Sequence, residues 1–226
     1  MQKKCILTTL PTIIAQEGHF FAYICCMALF LASSFWQQLE HWDQWLFIKL
    51  NSTFTNPFFD AVLPYFRDSV FWAPLYIFIL GFIMLNYGKK GAWWAVAFLC
   101  TVAICDIVSS RFFKDFFERL RPCQDPLFIQ NVRLLVKQCA GGYSFTSSHA
   151  ANHFGIATFV SVTFFSTFGR WIYLSYVWAF FISYAQIYVG VHYPLDVLGG
   201  AGIGTLAGLL TAWIFNNKWG SFTLAN

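Results

Sequence analysis

Charged residues are scarce in this chain. Asp, Glu, Lys and Arg make up only 11% of its 226 residues, whereas a soluble globular domain has about 25%. Hydrophobic residues account for 58% and aromatic residues for 21%. Too little polar surface is available to cover a water-soluble core of this size, which excludes a soluble globular protein. The composition predicts an all-α polytopic membrane protein that forms one membrane-embedded domain over residues 1–226, with no nucleic-acid partner.

Cysteine pairs of the metal-binding type are also lacking. None of the seven cysteines belongs to a Cys-x2-Cys pair. Cys123 and Cys139 lie in one hydrophilic loop, where an oxidising exterior would allow them to form a disulfide bond, and we treat that bond as a hypothesis. The others lie in or beside apolar segments and are expected to be inert small apolar residues: Cys5, Cys25, Cys26, Cys100 and Cys105.

Long apolar segments recur along the chain. Windows of about 19 residues predict six membrane-spanning helices, each close to the roughly 20 residues that cross a hydrocarbon core of about 30 Å. The first segment is expected to be an uncleaved anchor, because its apolar run has no small-residue cleavage site. The predicted spans are 19–36, 70–87, 92–109, 150–168, 171–190 and 195–215.

Basic residues indicate the orientation. Six spans put both termini on one side, and the short loops on that side carry Lys and Arg, which the positive-inside rule assigns to the cytoplasm. On the opposite, outer face, apolar residues at helical spacing in 37–51 predict an amphipathic helix at the membrane interface. The apolar positions are Leu39, Trp42, Leu46 and Leu50, and the inner basic residues are Lys3, Lys4, Lys89, Lys90, Arg170 and Lys218.

The loop 111–147 breaks this charge pattern. It is rich in basic residues although the predicted topology places it outside. An anionic ligand is the simplest reason for that excess, and a loop that docks on lipid headgroups is the alternative. The six basic residues are Arg111, Lys114, Arg119, Arg121, Arg133 and Lys137.

Lys114 and Arg121 form the first of three polar clusters near the outer ends of the spans. They are seven residues apart, about two helical turns, so the spacing predicts that they share one face of a helix. Pro122 is expected to end that helix. A basic pair of this kind is by itself more often a solvated face than a binding site.

The second cluster is the segment Ser144–His153, in which Ser147 or Ser148 is expected to be the N-cap of the helix that follows. The first N–H groups of that helix would be free to bind an anion, and His149 would project from the first turn beside it. His153 lies one turn further along. It is expected to be a packed or interhelical hydrogen-bonding histidine, because a zinc site would need a third ligand.

The third cluster consists of His192 and Asp196 on either side of Pro194, which suits the first turn of the sixth span. A carboxylate that binds one ring nitrogen of a histidine fixes its tautomer and makes the other nitrogen more basic. This arrangement is typical of a nucleophile and the group that orients it. A structural His–Asp contact between two spans is the alternative.

Together the three clusters resemble the type 2 phosphatidic acid phosphatase superfamily of integral-membrane lipid phosphate phosphatases. That family's pattern is K-x6-R-P, then P-S-G-H, then S-R-x5-H-x3-D. The spacing is kept here, while Thr, Ser, Ala and Gln replace four of the family's residues. The matching segments lie within 114–196 and read Lys114…Arg121-Pro122, Thr146-Ser147-Ser148-His149 and Ala185-Gln186…His192…Asp196.

The resemblance implies metal-independent hydrolysis of a lipid phosphomonoester or diphosphate without a cofactor. His192 would attack phosphorus and form a phosphohistidine, and Asp196 would orient its ring. His149 would protonate the leaving oxygen and then activate water. The implied substrate-binding positions are Lys114, Arg121, Ser147, Ser148 and Gln186.

Gln186 departs from the family pattern, in which an arginine binds phosphate in bidentate fashion. Losing such a charged donor typically costs about a hundredfold in rate. Three hypotheses follow: a loop cation fills the gap, the substrate differs, or the protein is a weakened or inactive lipid-phosphate binder or transporter. The candidate loop cations are Arg111, Arg119, Arg133 and Lys137.

The sequence thus predicts a six-span phosphatase with an outer catalytic loop, acting on a polyprenyl diphosphate, phosphatidylglycerol phosphate, phosphatidic acid or lipid A-type glycolipid. The short chain favours a bacterial inner membrane with a periplasmic active site. A zinc-dependent hydrolase built on His149 and His153 is a further alternative. No feature of the sequence selects one of these lipids or sets an oligomeric state.

Overall fold

The computed structural model describes residues 34–222. The chain divides into two units, Met1–Trp42 and Asp43–Asn226. Of the first unit, residues 34–42 are described and are helical. In the second unit the described residues form helices and loops and no strand, which confirms the all-α class. The prediction of one domain over 1–226 stays a prediction.

The second unit begins with helical residues 43–48 and a π-helical turn at Lys49–Thr53. Six further α-helices lie within the described part of the chain. Short π-helical and 3₁₀ turns at Val108–Phe113, Ile129–Asn131 and Gly169–Tyr173 connect some of them. The helices are α1 (Pro57–Phe66), α2 (Ser69–Ile107), α3 (Lys114–Phe117), α4 (Ser148–Phe168), α5 (Leu174–Tyr188) and α6 (Pro194–Trp219).

Helix α2 contains a sharp break at Gly88. Its φ of 53° and ψ of −128° are not helical, and only glycine adopts such a conformation readily. A side chain at Gly91 would run into the backbone of Ile83, so the two arms of α2 pack closely where the chain turns back. These arms correspond to the predicted spans 70–87 and 92–109, with the turn where the sequence predicted it.

Two helical stretches among the described residues, Ser69–Phe117 and Pro194–Trp219, are long and apolar enough to cross a membrane. The predicted number of six spans is therefore not confirmed. Helices α4 and α5 occupy the predicted spans 150–168 and 171–190, while most of the predicted span 19–36 lies outside the described residues. The outward surfaces of the long helices carry many exposed apolar side chains, such as Leu85, Leu206 and Trp213, as expected for contact with lipid.

Glycines bring α4 and α6 into close contact. A side chain at Gly204 of α6 would run into the carbonyl of Ala151, and one at Gly200 would run into the carbonyl of Ser147. Small residues allow helix backbones to approach in this way, as is common between membrane helices. The backbone N–H of Ser147 donates to the carbonyl of Asp196 over 2.9 Å. The first turns of α4 and α6 are therefore held side by side.

The main apolar core lies at the other end of these helices. Trp94, Phe159, Phe215 and Phe222 are fully buried there. The indole N–H of Trp94 donates to the hydroxyl of Thr163 over 3.0 Å, so its one polar group is satisfied. The packed aromatic cluster fixes the relative positions of α2, α4 and α6 and leaves their opposite ends to form the site.

The loop between α3 and α4 is closed by a disulfide bond. Cys123 and Cys139, sixteen residues apart with a Cα–Cα distance of 5.9 Å, are bonded to each other. The hypothesis made from the sequence is therefore confirmed. The same loop is fastened by Arg133, whose guanidinium lies 2.9 Å from Asp60 on α1.

Residues 43–51 belong to the segment that the sequence predicted to be an amphipathic helix. They are α-helical up to residue 48 and π-helical from Lys49 onward. Asp43 and Phe47 are buried against the rest of this unit, whereas Trp45 and Leu46 are exposed. The helical prediction is confirmed for this stretch. Its location at a membrane interface stays a prediction.

Candidate active site

The turn between α5 and α6 presents His192. Gly190 in this turn has φ of 92°, and a side chain there would run into the carbonyl of Arg133, so both conformation and space require glycine. Pro194 is the first residue of α6, as the sequence predicted. His192 itself is almost completely buried.

Asp196 holds the Nδ1 side of the His192 ring. Its Oδ2 atom lies 3.4 Å from Nδ1 and accepts hydrogen bonds from the Tyr193 backbone N–H over 2.8 Å and from the Ser144 hydroxyl over 2.5 Å. The Ser144 oxygen is itself 3.3 Å from Nδ1. The carboxylate therefore both caps the start of α6 and orients the imidazole.

Arg121 determines whether the other ring nitrogen of His192, Nε2, donates or accepts a hydrogen bond. Its Nη1 atom lies 2.9 Å from Nε2 of His192, and a guanidinium can only donate hydrogen bonds. Nε2 must therefore be the acceptor, and the ring proton stays on Nδ1, facing Asp196 and Ser144. Arg121 is held in place by the carbonyls of Val191 at 3.2 Å and Gly142 at 3.2 Å.

His192 is neutral at physiological pH. Burial lowers its pKa to about 4, although the hydrogen bond with Asp196 acts in the opposite direction. The positive charges of Arg121 and Lys114 contribute to this lowered pKa, so Lys114 lies within electrostatic range of the ring. A neutral imidazole with its lone pair on Nε2 is the form that a nucleophile requires.

Arg119 connects the orienting carboxylate to a second acid. Its Nη1 lies 2.9 Å from Asp196 and its Nη2 lies 2.6 Å from Asp43. Its guanidinium also stacks 4.2 Å from the ring centre of Tyr193. This ion pair compensates the buried charge of Asp196, which would otherwise be costly away from water.

The prediction that Lys114 and Arg121 share a helical face is wrong. Helix α3 ends at Phe117, because Glu118 adopts a left-handed conformation with φ of 46°. Arg121 lies beyond the helix, in a turn in which its own backbone carbonyl accepts the N–H groups of Gln124 and Asp125. Lys114 and Arg121 therefore belong to different backbone segments, the helix α3 and the turn that follows it.

The N-cap of α4 is Ser147, whose hydroxyl accepts the N–H of Ala150 over 3.4 Å. Ser148 is the first residue of the helix, and its hydroxyl accepts a hydrogen bond from Ser109 over 3.0 Å. The N-terminal N–H groups of α4 thus lie beside the segment that carries Asp196, as the hydrogen bond from Ser147 shows. A helix N-terminus in this position favours an anion.

His149, in the first turn of α4, is half-buried and lies within electrostatic range of His192, Lys114 and Arg67. His153 lies one turn further, with its ring stacked 6.4 Å from that of His149. It donates from Nδ1 to the His149 carbonyl over 2.7 Å, and its Nε2 accepts from the Tyr76 hydroxyl over 2.8 Å. The prediction of an interhelical hydrogen-bonding histidine is confirmed, and 34–222 contains no cluster of three metal-ligating side chains.

Gln186 is fully buried, and its partner is a residue that the sequence did not indicate. Its Oε1 accepts a hydrogen bond from Nε of Arg67 over 3.2 Å. The hypothesis of a compensating loop cation named four other residues, and in the described structure none of them forms a hydrogen bond with Gln186. Arg119 and Arg133 are engaged with carboxylates, while the remaining two are exposed: Arg111 and Lys137.

Three residues of the site were missed by sequence reasoning. Ser144 lies two residues before the second motif and was given no role, Asp43 lies in a segment assigned to a membrane interface, and Arg67 follows α1. Asp43 shares its segment with a second acid, Glu40, so the local pattern does not single it out. Nothing in the local sequence marks Arg67, because its role depends on a contact across 119 residues of chain.

Comparison with known proteins identifies the family of this chain. The family model of the PAP2 superfamily matches residues 92–220. The chain is 36% identical over 163 residues to the lipid A 4′-phosphatase of Bacteroides thetaiotaomicron, covering 71% of this chain and 69% of that protein. It is 35% identical over 164 residues to the lipid A 4′-phosphatase of Porphyromonas gingivalis, with coverage of 72% and 68%.

A solved structure extends the likeness to the fold. The crystal structure of Aquifex aeolicus LpxE superposes with a TM-score of 0.56 and 27% identity, covering 74% of this chain and 92% of that one. The fold, which is helical without strands over residues 34–222, is that of PAP2-type membrane phosphatases. The chain belongs to the PAP2 superfamily, as its three motifs indicated.

Proposed function

We propose that this protein is a membrane lipid phosphate phosphatase that works through a phosphohistidine on His192. The observation that carries the proposal is the fixed tautomer of that ring. Nδ1 faces Asp196 at 3.4 Å, and Nε2 carries the lone pair toward Arg121 at 2.9 Å. A buried, neutral and oriented imidazole beside a cation is suited to attack a phosphorus atom.

In the first step, Nε2 of His192 attacks phosphorus and the bond from phosphorus to the lipid oxygen breaks. Burial lowers the pKa of His149 to about 3 in the free protein, so in this proposal the negative charge of the bound phosphoryl group raises that pKa and the ring takes up a proton when substrate binds. His149 then donates that proton to the lipid oxygen, so the lipid leaves as an alcohol or as a lower phosphate. Asp196 stabilises the positive charge that develops on the ring, and Arg121 shifts its hydrogen bond from Nε2 to the phosphoryl oxygens.

In the second step, His149 takes a proton from water, and the resulting hydroxide attacks phosphorus. The N–P bond breaks, its electron pair returns to Nε2, and orthophosphate leaves. Lys114, Arg121 and the N–H groups that follow Ser147 supply positive charge around the phosphoryl oxygens in both steps. Phosphoryl transfer depends mainly on such positioning and electrostatic stabilisation, so the proposed chemistry uses no metal ion or cofactor.

The substrate that we propose first is a lipid A-type glycolipid phosphate, because the two relatives above are named for that reaction. Polyprenyl diphosphate, phosphatidylglycerol phosphate and phosphatidic acid are the other members of the test panel. The proposed location is a bacterial inner membrane with the site on the periplasmic face. The disulfide bond between Cys123 and Cys139 supports an oxidising environment for this loop.

The test is phosphate release from this panel by the detergent-solubilised protein, with and without EDTA. We expect turnover of at least one lipid, no inhibition by EDTA and loss of turnover in His192→Ala. Acid-labile phosphate trapped on wild type after rapid quenching, and absent from His192→Ala, would identify the intermediate. Inhibition by EDTA with rescue by Zn²⁺ would instead favour a zinc-dependent hydrolase.

A second candidate is a lipid-phosphate binder or transporter without turnover. The observation that favours it is the neutral Gln186 at the position of a phosphate-binding arginine. Binding of the panel lipids by wild type and His192→Ala alike, with no phosphate released by either, would establish this function.

A further inference from the structure

Arg67 is held at the site by Gln186. The arginine follows α1, and its backbone N–H donates to the Leu63 carbonyl over 3.1 Å. Its Nε donates to Oε1 of Gln186 over 3.2 Å, and the amide nitrogen of Gln186 lies 3.5 Å from the Arg67 carbonyl. Because Gln186 is fully buried in α5, these contacts restrict the orientation of the guanidinium.

The backbone of Gln186 also supports the nucleophile. Its carbonyl accepts the N–H of Val191 over 3.1 Å and that of His192 over 3.3 Å. One residue therefore fixes both the turn that carries His192 and the guanidinium of Arg67.

The guanidinium of Arg67 could donate further hydrogen bonds. In the described part of the chain, its Nη1 and Nη2 have no hydrogen-bond partner and no carboxylate lies within 4.0 Å of them. The neighbouring Asp68 uses its carboxylate to accept the N–H of Val70, at the start of α2. Arg119 and Arg133, by contrast, are each paired with aspartate. The charge of Asp68 acts on Arg67 from beyond 4.0 Å, so the half-buried guanidinium forms no ion pair within that distance and is suited to an anionic ligand.

The charge of Arg67 acts on other groups of the proposed site. Burial lowers the pKa of Arg121, Asp196 opposes that effect, and the charge of Arg67 lowers the pKa further, so the two guanidinium groups are within electrostatic range. His149 is within range of Arg67 as well. Two guanidinium groups that repel each other are stabilised together when an anion lies between them.

We propose that Arg67 is a phosphate ligand that takes the place of the arginine missing at position 186, and that Gln186 positions it. The glutamine engages Nε and leaves Nη1 and Nη2 for the oxygens of the substrate, a charged contact that the glutamine amide alone does not supply. The proposal rests on the proposed phosphatase function. It assigns the compensating cation to the segment between α1 and α2, outside all three sequence motifs.

The test compares Arg67→Gln, Arg67→Lys, the exchange variant Arg67→Gln/Gln186→Arg, and Arg170→Gln as an exposed arginine control. We expect kcat/KM of Arg67→Gln to fall about a hundredfold, as for loss of one charged transition-state donor. Inhibition by orthophosphate should weaken about tenfold, with Arg67→Lys intermediate because its ammonium cannot form the fork. The exchange variant should recover at least about tenfold over Arg67→Gln, and Arg170→Gln should match wild type.

Two results would overturn the inference. One is wild-type kcat/KM and orthophosphate inhibition in Arg67→Gln. The other is a loss of activity in Arg67→Gln with unchanged orthophosphate inhibition and no recovery in the exchange variant, which would make Arg67 a structural partner of Gln186 only. Size-exclusion chromatography and thermal melting precede each assay, and Arg67→Lys supplies the same comparison if Arg67→Gln does not fold.

Failure of the proposed function would give a different pattern. A wild-type protein that releases no phosphate from any panel lipid would contradict the phosphatase proposal. Binding of orthophosphate, measured as a thermal shift, would still distinguish wild type from Arg67→Gln. Equal shifts in the two proteins would then count against Arg67 as a phosphate ligand.

Discussion

Arg119 and Asp196 form an ion pair in which Nη1 lies 2.9 Å from Oδ1, at the carboxylate that orients His192. Asp196 has no exposed surface, and burying an unpaired carboxylate is expensive. The second contact of Arg119, to Asp43 at 2.6 Å, ties this pair to the segment before α1. The orientation of the nucleophile therefore depends on residues from three separate parts of the chain.

Replacing Arg119 by Gln is expected to lower both stability and activity. Removing one partner of a buried ion pair leaves two buried aspartates uncompensated, which costs about 3–5 kcal/mol in comparable cases. Thermal melting in detergent and kcat with the best panel lipid measure the two effects. Arg111→Gln, at an exposed position of the same loop, is the control and should behave as wild type. Unchanged melting and kcat in Arg119→Gln would contradict this role.

Replacing Ser144 by Ala is expected to lower kcat with little change in KM. The serine hydroxyl donates to Asp196 over 2.5 Å and lies beside Nδ1 of His192, so its loss loosens the orientation of the ring. Hydrogen bonds to charged groups contribute about 1.5–3 kcal/mol, which corresponds to roughly a tenfold to hundredfold change. Ser110→Ala removes a hydroxyl that binds only a backbone carbonyl and serves as the matched control. Equal kcat values for the two variants would argue against a role for Ser144.

The acid limb of kcat/KM is expected near pH 4 rather than at the ordinary histidine value of 6.5, because burial lowers the pKa of His192 to about 4. Between these values an unfolded chain binds a proton on this residue and the folded protein does not. The free energy of unfolding should therefore fall as pH is lowered from 6.5 toward 4. Initial rates and tryptophan fluorescence, recorded together from pH 4 to 8, separate titration from unfolding. A limb at 6.5 or above in folded protein would show that His192 is not held neutral.

Replacing Cys123 and Cys139 by Ser is expected to destabilise the protein. A loop closed across 16 residues restricts the unfolded chain by about 3 kcal/mol. The double variant should melt at a lower temperature than wild type, and reductant should lower the wild-type value to match it. Cys100→Ser, which replaces an exposed free cysteine, should melt as wild type with or without reductant. Wild-type melting that is insensitive to reductant would show that the bond contributes little.

Local spacing was a good guide to some features. The turn at Gly88 and the start of α6 at Pro194 depend on backbone conformation over a few residues, and both were predicted correctly. The N-cap of α4 is Ser147, one of the two serines between which the sequence did not choose. The prediction that Lys114 and Arg121 share a helical face was wrong, and the cause is again the backbone conformation of a single residue. A left-handed residue at Glu118 ended the helix, and glutamate is not a residue whose presence predicts that conformation.

Composition and neighbours within about ten positions are enough to predict the apolar character of this chain, its helical class and its three phosphatase-type motifs. They do not predict that Asp43 and Arg119 support Asp196, that Ser144 lies against His192, or that Arg67 lies beside Gln186. Such contacts arise where helices meet, because ion pairs and hydrogen bonds are set by distance in space rather than by separation along the chain.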